Sequence, residues 1–175
     1  MKKWRFNHLY GSLIANIESY ESRLLDKYGE FINCREGCSL CCTLESVFPV
    51  EAYIISSSLT NSRDPLLPRF TETPGKCVFM KDSSCSIYSL RPVICRTHGY
   101  PVFIDKRTDV CPENFIGLRT IGSEYILDLE NLNSALASIN IIFRGEVKDK
   151  FFLQERVAMK DLKNYIVRHR PYKTE

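Results

Sequence analysis

Eight cysteines stand between residues 34 and 111, and the rest of the 175-residue chain has none. Four of them fall within nine residues, in the stretch Cys34-Arg-Glu-Gly-Cys38-Ser-Leu-Cys41-Cys42. The others follow at Cys77, Cys85, Cys95 and Cys111. A block so dense in thiols has three physical uses: disulfides, redox chemistry or metal ligation. The compartment decides among them. Met1-Lys2-Lys3 could open a signal peptide, but Arg5, Asn7, His8 and Asn16 break any apolar run, and no small-residue cleavage site follows. We therefore expect a cytoplasmic protein, whose cysteines stay reduced, and metal or redox chemistry ahead of a secreted disulfide scaffold.

At this length the chain can bury a core without staples, and we expect a single domain over 1–175, with a cysteine-cluster core at 30–115 and a helical extension at 120–175. A net charge of +3 is too mild for a dedicated nucleic-acid binder. The basic tail of Arg168, His169, Arg170 and Lys173 reads more simply as complementing the end of a helix. No apolar run approaches the ~20 residues that a membrane helix needs.

The flanks are helical in pattern. Phe6, Leu9, Tyr10, Leu13, Ile17, Tyr20, Leu24 and Tyr28 recur at spacings of three and four, predicting a helix over 4–32. Pro49, with Glu51 in the first turn, opens a short helix through Leu59. Residues 60–76, rich in proline and turn formers, read as a connection. Between 77 and 112 we expect short extended pieces: a strand at 77–80, a turn at Asp82, a helical turn over 90–95 and a strand at 100–104 weakened by Pro101. Leu129, Leu132, Leu136, Ile139 and Phe143 predict a helix over about 128–144, capped by Asp128 and ended by Gly145. A second helix over about 148–168 should close an antiparallel hairpin with it. The fold class expected is mainly α around a small irregular α+β cysteine-rich metal-binding core, with the N-terminal helix and C-terminal helical hairpin packed on it.

The candidate ligands are Cys34, Cys38, Cys41, Cys42, Cys77, Cys85, Cys95 and Cys111. Zinc takes four thiolates tetrahedrally at ~2.3 Å, and a cubane iron–sulfur cluster takes one per iron. Eight thiols suffice for two such sites, or for one with cysteines left over. A short spacing such as Cys38-x-x-Cys41 delivers two ligands from one turn. Adjacent Cys41 and Cys42 diverge in extended chain, so both are not expected to serve one compact site from a strand. Arg35, Lys76, Lys81, Arg91, Arg96 and Arg107 interleave with the thiols and could lower their pKa values or stand as ordinary solvated charges. Tyr88 reads as a packed aromatic. His98 is a conceivable ninth ligand that the thiol count does not require.

These spacings, Cys34-x3-Cys38-x2-Cys41-Cys42, then Cys77, then Cys85-Ser-Ile-Tyr88-x2-Arg91-Pro92-x2-Cys95-Arg96, then Cys111-Pro112, resemble the YkgJ-like cysteine-cluster family of zinc- or iron-chelating domains. The resemblance spans about residues 30–115 and implies a cytoplasmic metal-binding domain with no settled reaction. It implies an iron–sulfur cluster or zinc held by cysteine thiolates in a structural or electron-transfer role. Within the motif, Pro92 would fix the turn that aims Cys95, and Arg91 would bond loop carbonyls or a carboxylate. An iron–sulfur-dependent enzyme is the alternative, an oxidoreductase or a protein methyl transferase, since flagellin lysine methylases carry a similar cluster. The three-cysteine spacing also matches radical S-adenosylmethionine enzymes, but the chain lacks their run of βα units. The partner the resemblance implies is a metal ion or cluster; a protein partner is left open, and the mild charge and lack of a long apolar run speak against nucleic acid and a membrane.

Overall fold

The computed structural model describes residues 4–34, 37–61 and 70–169. Its helices are α1 (Arg5–Tyr28), α2 (Pro49–Thr60), α3 (Val93–Thr97), α4 (Leu129–Glu146) and α5 (Met159–His169). Its strands are β1 (Ser46–Val47), β2 (Met80–Lys81), β3 (Ser84–Cys85), β4 (Val102–Ile104), β5 (Arg107–Asp109), β6 (Leu127–Asp128) and β7 (Val157–Ala158). The protein is thus mainly helical, with small sheets. Its backbone gathers into two compact units, each drawn from two stretches of chain: 1–38 with 93–142, and 39–92 with 143–175.

In the first unit the periodicity of α1 is used as written. Phe6, Tyr10, Leu13, Ile17, Tyr20 and Leu24 are its buried face, and a 3-10 turn at Gly29–Phe31 extends it. Tyr20 and Leu24 form a core with Tyr100 and Phe115, and Tyr28, Phe31 and Tyr125 pack around it. The rings of Tyr28 and Tyr125 meet edge to face with centroids 5.1 Å apart, a favoured aromatic geometry. The Tyr20 hydroxyl lies 3.1 Å from the Pro101 carbonyl and 3.0 Å from that of Tyr125, fixing the start of the sheet to the helix. That sheet has the order β5-β4-β6. The β4–β5 hairpin turns at Asp105 and Lys106, both left-handed, the backbone that suits a two-residue hairpin. The strand expected at 100–104 begins only at Val102, because Pro101 has no N–H to give a ladder. Its carbonyl instead accepts from Leu127 N–H at 2.9 Å.

In the second unit α2 starts at Pro49 as its sequence demands, and the Glu51 carboxylate accepts the Phe48 N–H at 3.2 Å. Val50, Ala52 and Ile55 are buried on it. Helix α5 packs against α2. The Tyr53 ring lies among Phe143 and Phe152, at 5.3 and 5.4 Å between centroids. Strands β1 and β7 pair antiparallel, Val47 opposite Val157.

Several boundaries move from their expected places. The helix expected over 148–168 begins at Met159. Residues 147–158 instead form a 3-10 turn at Lys150–Phe152, capped where Asp149 accepts the Phe151 N–H at 2.9 Å, and then β7. Phe152 and Val157 are buried through that turn and strand rather than along one helical face, so the short-linked hairpin is not the arrangement found. Helix α4 runs through Gly145 to Glu146, and Asp128 caps its start by accepting Asn131 N–H at 2.9 Å. The strand expected at 77–80 is a turn until Met80, and the helical turn expected over 90–95 is α3, just after Pro92. Part of the expected connection, 62–69, lies outside the described residues, as do Arg35, Arg170 and Lys173.

Candidate metal centre

Each unit holds four of the eight cysteines: Cys34, Cys38, Cys95 and Cys111 in the first, Cys41, Cys42, Cys77 and Cys85 in the second. All eight are thiols rather than disulfides.

In the first unit one buried amide ties the cysteine-bearing loops together. Asn114 is 4% exposed. Its Oδ1 accepts the backbone N–H groups of Asn33 at 2.8 Å and Cys34 at 3.1 Å. Its Nδ2 donates to the Gly99 carbonyl at 2.6 Å, and its own backbone N–H donates to the Cys111 carbonyl at 2.9 Å. The Gly99 carbonyl also accepts the Cys111 N–H, at 3.4 Å. Gly99 sits just beyond α3, the helix that carries Cys95, with φ +97, a backbone that favours glycine. A Cβ there would stand 2.7 Å from the Cys34 sulfur, so the missing side chain is the room that sulfur occupies. Phe115 follows with left-handed φ 58 and donates its N–H to Phe31 at 2.7 Å, seating the Cys111–Phe115 loop on the end of α1. The Cys34 thiol is pushed up to about 11, chiefly by burial, which penalises the thiolate. A hydrogen bond from Asn114 opposes that shift, while the nearby sulfurs of Cys111 and Cys38 add to it.

The second unit uses backbone turns instead. The Cys77 N–H donates to the Cys42 carbonyl at 2.9 Å, joining the first cysteine stretch to the β2–β3 hairpin. Met80 N–H returns to the Cys77 carbonyl at 2.9 Å, and Met80 pairs with Cys85 across the hairpin. Asp82 and Ser83, both left-handed, make its turn. Ser86 closes it, its N–H and hydroxyl donating to the Phe79 carbonyl at 2.9 and 3.0 Å. Burial pushes the Cys77 thiol up to about 11; the Phe79 N–H opposes this, and the sulfurs of Cys85 and Cys42 reinforce it. Cys41 is exposed, whereas Cys42 and Cys85 are half-buried and Cys77 is buried.

Sulfur donors in fours suit zinc or an iron–sulfur cluster in kind and number, and the gap at Gly99 accommodates one of them. Among the described residues, however, no group of three or more His, Cys, Asp or Glu side chains stands in an arrangement that could already hold an ion. His98 is exposed, and no such group includes it. Three of the interleaved basic residues have partners away from the thiols. The Arg91 guanidinium lies over the Tyr88 ring at 3.6 Å and donates to the Tyr88 carbonyl at 3.0 Å. Arg96 pairs with Glu18 at 3.3 Å, and Lys76 donates to the Ser39 carbonyl at 3.1 Å. No basic side chain figures among the causes that shift Cys34 or Cys77.

The sequence singled out neither Asn114 nor Gly99. A glycine shortly after a helix suits left-handed backbone, but the helical turn expected over 90–95 stops short of Gly99, and only the true end of α3 at Thr97 brings Gly99 into that position. Nothing in the spacing marks Asn114, whose partners are some 80 residues away at Asn33 and Cys34.

A two-unit, mainly helical protein with a central thiol block defines a class of cysteine-cluster proteins. Residues 33–112 match the family described as "CxxCxxCC: Putative zinc- or iron-chelating domain". The "Uncharacterized protein MJ0661" of Methanocaldococcus jannaschii is 32% identical over 138 residues, covering 71% of this chain and 67% of that protein. The chain belongs to this cysteine-cluster family. No solved structure matches it, and no helix among the described residues is long and apolar enough to cross a membrane.

Proposed function

We propose that this is a cytoplasmic metal-chelating protein whose cysteines, Cys34, Cys38, Cys41, Cys42, Cys77, Cys85, Cys95 and Cys111, hold zinc or iron–sulfur as thiolates, in a structural or electron-transfer role. The observation that carries the reading is mutual proximity of thiols that are distant in sequence. Asn114 ties the Cys34 backbone to that of Cys111, and the Cys77 N–H donates to the Cys42 carbonyl. Clustered neutral thiols have little to offer one another, whereas a soft cation turns several deprotonated sulfurs into a favourable site. Membership of a zinc- or iron-chelating family supports the same chemistry. When bound, zinc would cross-link the loops, and an iron–sulfur cluster would in addition carry an electron.

The test is elemental analysis of protein purified without oxygen, together with its visible spectrum. Stoichiometric iron with a brown colour indicates iron–sulfur, and stoichiometric zinc in colourless protein indicates zinc. Folded, metal-free protein with eight titratable thiols that takes up neither metal would refute the proposal.

A further inference from the structure

The eight cysteines form two independent ligand sets, we infer: Cys34, Cys38, Cys95 and Cys111 in one unit, and Cys41, Cys42, Cys77 and Cys85 in the other. The inference rests on the metal-chelating reading above and divides its ligands. By spacing alone, Cys38-x-x-Cys41 would supply two ligands to one site. The fold assigns the two residues to different units.

The hydrogen bonding follows that division. Asn114 bonds the Cys34 N–H, the Cys111 carbonyl and the Gly99 carbonyl, so one residue holds two cysteine backbones and the end of the helix carrying Cys95. Cys38 lies in the same unit, just past the left-handed turn at Gly37, whose φ is +96. In the other unit, Cys42 and Cys77 are bonded directly, Cys85 is held by its hairpin pairing with Met80, and Cys41 adjoins Cys42 in the turn where Thr43 N–H reaches the Cys41 carbonyl at 2.8 Å. That turn takes Cys41 and Cys42 out of the extended geometry that would send their side chains apart. Four thiolates complete either a tetrahedral zinc site or the ligand shell of one cubane cluster, so each set is sufficient by itself.

Three measurements on the full chain decide it. Reduced, metal-free protein titrated with zinc or cobalt(II) should bind about two equivalents. A Cys34→Ser/Cys111→Ser protein and a Cys77→Ser/Cys85→Ser protein should each keep about half of the bound metal, and the quadruple variant none. Should a variant misfold, the wild type answers alone. With a single equivalent of zinc, alkylation and mass mapping of intact chains should show thiols protected in blocks, four of one set or four of the other. A wild type that saturates at one equivalent overturns the two-set inference and leaves chelation standing. So does a partly loaded chain that protects Cys38 with Cys41 while Cys111 and Cys77 react. A wild type that binds no zinc or cobalt at all overturns the chelating reading and this inference with it.

Discussion

The two units carry equal numbers of cysteines and hold them by different means. In the first, a side chain does the holding: Asn114 reaches loops far apart in sequence, and an aromatic core of Tyr20, Tyr100 and Phe115 supports them. In the second, short backbone turns around a two-residue hairpin do it, with Cys77 as the buried anchor and Cys41 exposed. The difference teaches where each site is vulnerable. A packed amide clamp fails when one atom is misplaced, because a single side chain holds several loops at once. Strands this short gain little from their own ladder and lean on whatever their side chains bind.

The largest effect should follow from Gly99→Ala. The left-handed backbone costs the alanine about 1–2 kcal/mol, and its Cβ would press on the Cys34 sulfur at 2.7 Å. Together we expect a loss of about 3 kcal/mol, with the metal share of the first unit lost and that of the second retained. Urea unfolding and metal content report both. Wild-type stability in this variant would mean the room beside Cys34 is not needed.

Asn114→Ala comes next. It strips the acceptor from the part-buried Asn33 and Cys34 N–H groups and removes one of the two donors to the Gly99 carbonyl. A cost of about 2 kcal/mol is expected. Thiol alkylation should accelerate at Cys34 and Cys111 and stay unchanged at Cys77 and Cys85. Uniform acceleration at all four would erase the contrast between the units.

Metal removal sharpens the contrast in another way. With chelator, the far-ultraviolet helical signal should largely survive, since α1, α2 and α5 have apolar faces that pack without metal. Limited proteolysis should open the chain around the β2–β3 hairpin sooner than around residues 99–115. Acid should mimic the chelator. The Cys34 and Cys77 thiols, raised to about 11, are neutral at pH 7 without metal, so binding expels protons and weakens as pH falls. For the metal-free protein the sign is opposite. The folded state holds these protons more tightly than the unfolded one, so their contribution is full below about 9 and fades as pH rises through about 11. Cooperative loss of all helical signal on chelation would show that the helices are built on the metal.

Within the second unit, Cys41 and Cys42 should differ. Cys42 contributes the carbonyl that receives Cys77 and is half-buried, while Cys41 is exposed. Cys42→Ser should therefore lose more of the bound metal than Cys41→Ser. Equal losses would make the two thiols equivalent.

How much of this was legible beforehand depends on the range of the cause. The stripe on α1, the Pro49 and Glu51 start of α2 and the Asp128 cap of α4 are local, and each stands in the sequence as a pattern. So is the thiol block itself, whose spacings were enough to name the family. The assignment of Cys38 and Cys41 to different units was not legible, because it depends on residues 93–142 returning to the N-terminal helix. The start of α5 differs from the expected one for a related reason: Phe152 and Val157 look like one helical face with Leu162 and Ile166, but β1 claims Val157 by pairing. Asn114 holds Asn33 and Cys34 from some 80 residues away, and no local pattern reveals such a clamp.

The smallest effect should come from the helical side of the second unit, where Tyr165→Phe tests a hydrogen bond rather than a thiol. The Tyr165 hydroxyl donates to Asp149 Oδ2 at 2.7 Å, and its ring stacks on Phe151 and His169 at 4.4 and 4.0 Å. Phenylalanine keeps the stacking and loses the bond, so about 0.5 kcal/mol should go at neutral pH with metal content unchanged. Burial, then the bond to Asp149 and its negative charge, push the phenol up to about 12. A raised folded-state value gives a contribution that is full below the ordinary value of about 10 and is lost as pH climbs through about 12. The gap between wild type and variant should therefore close over that alkaline range. Phenolate absorbance in the two proteins, followed beside urea midpoints, reads the titration and the stability together. A tyrosine that titrates at its ordinary value, or a variant that sheds metal, would show that this corner of the second unit is coupled to its thiols rather than to Asp149.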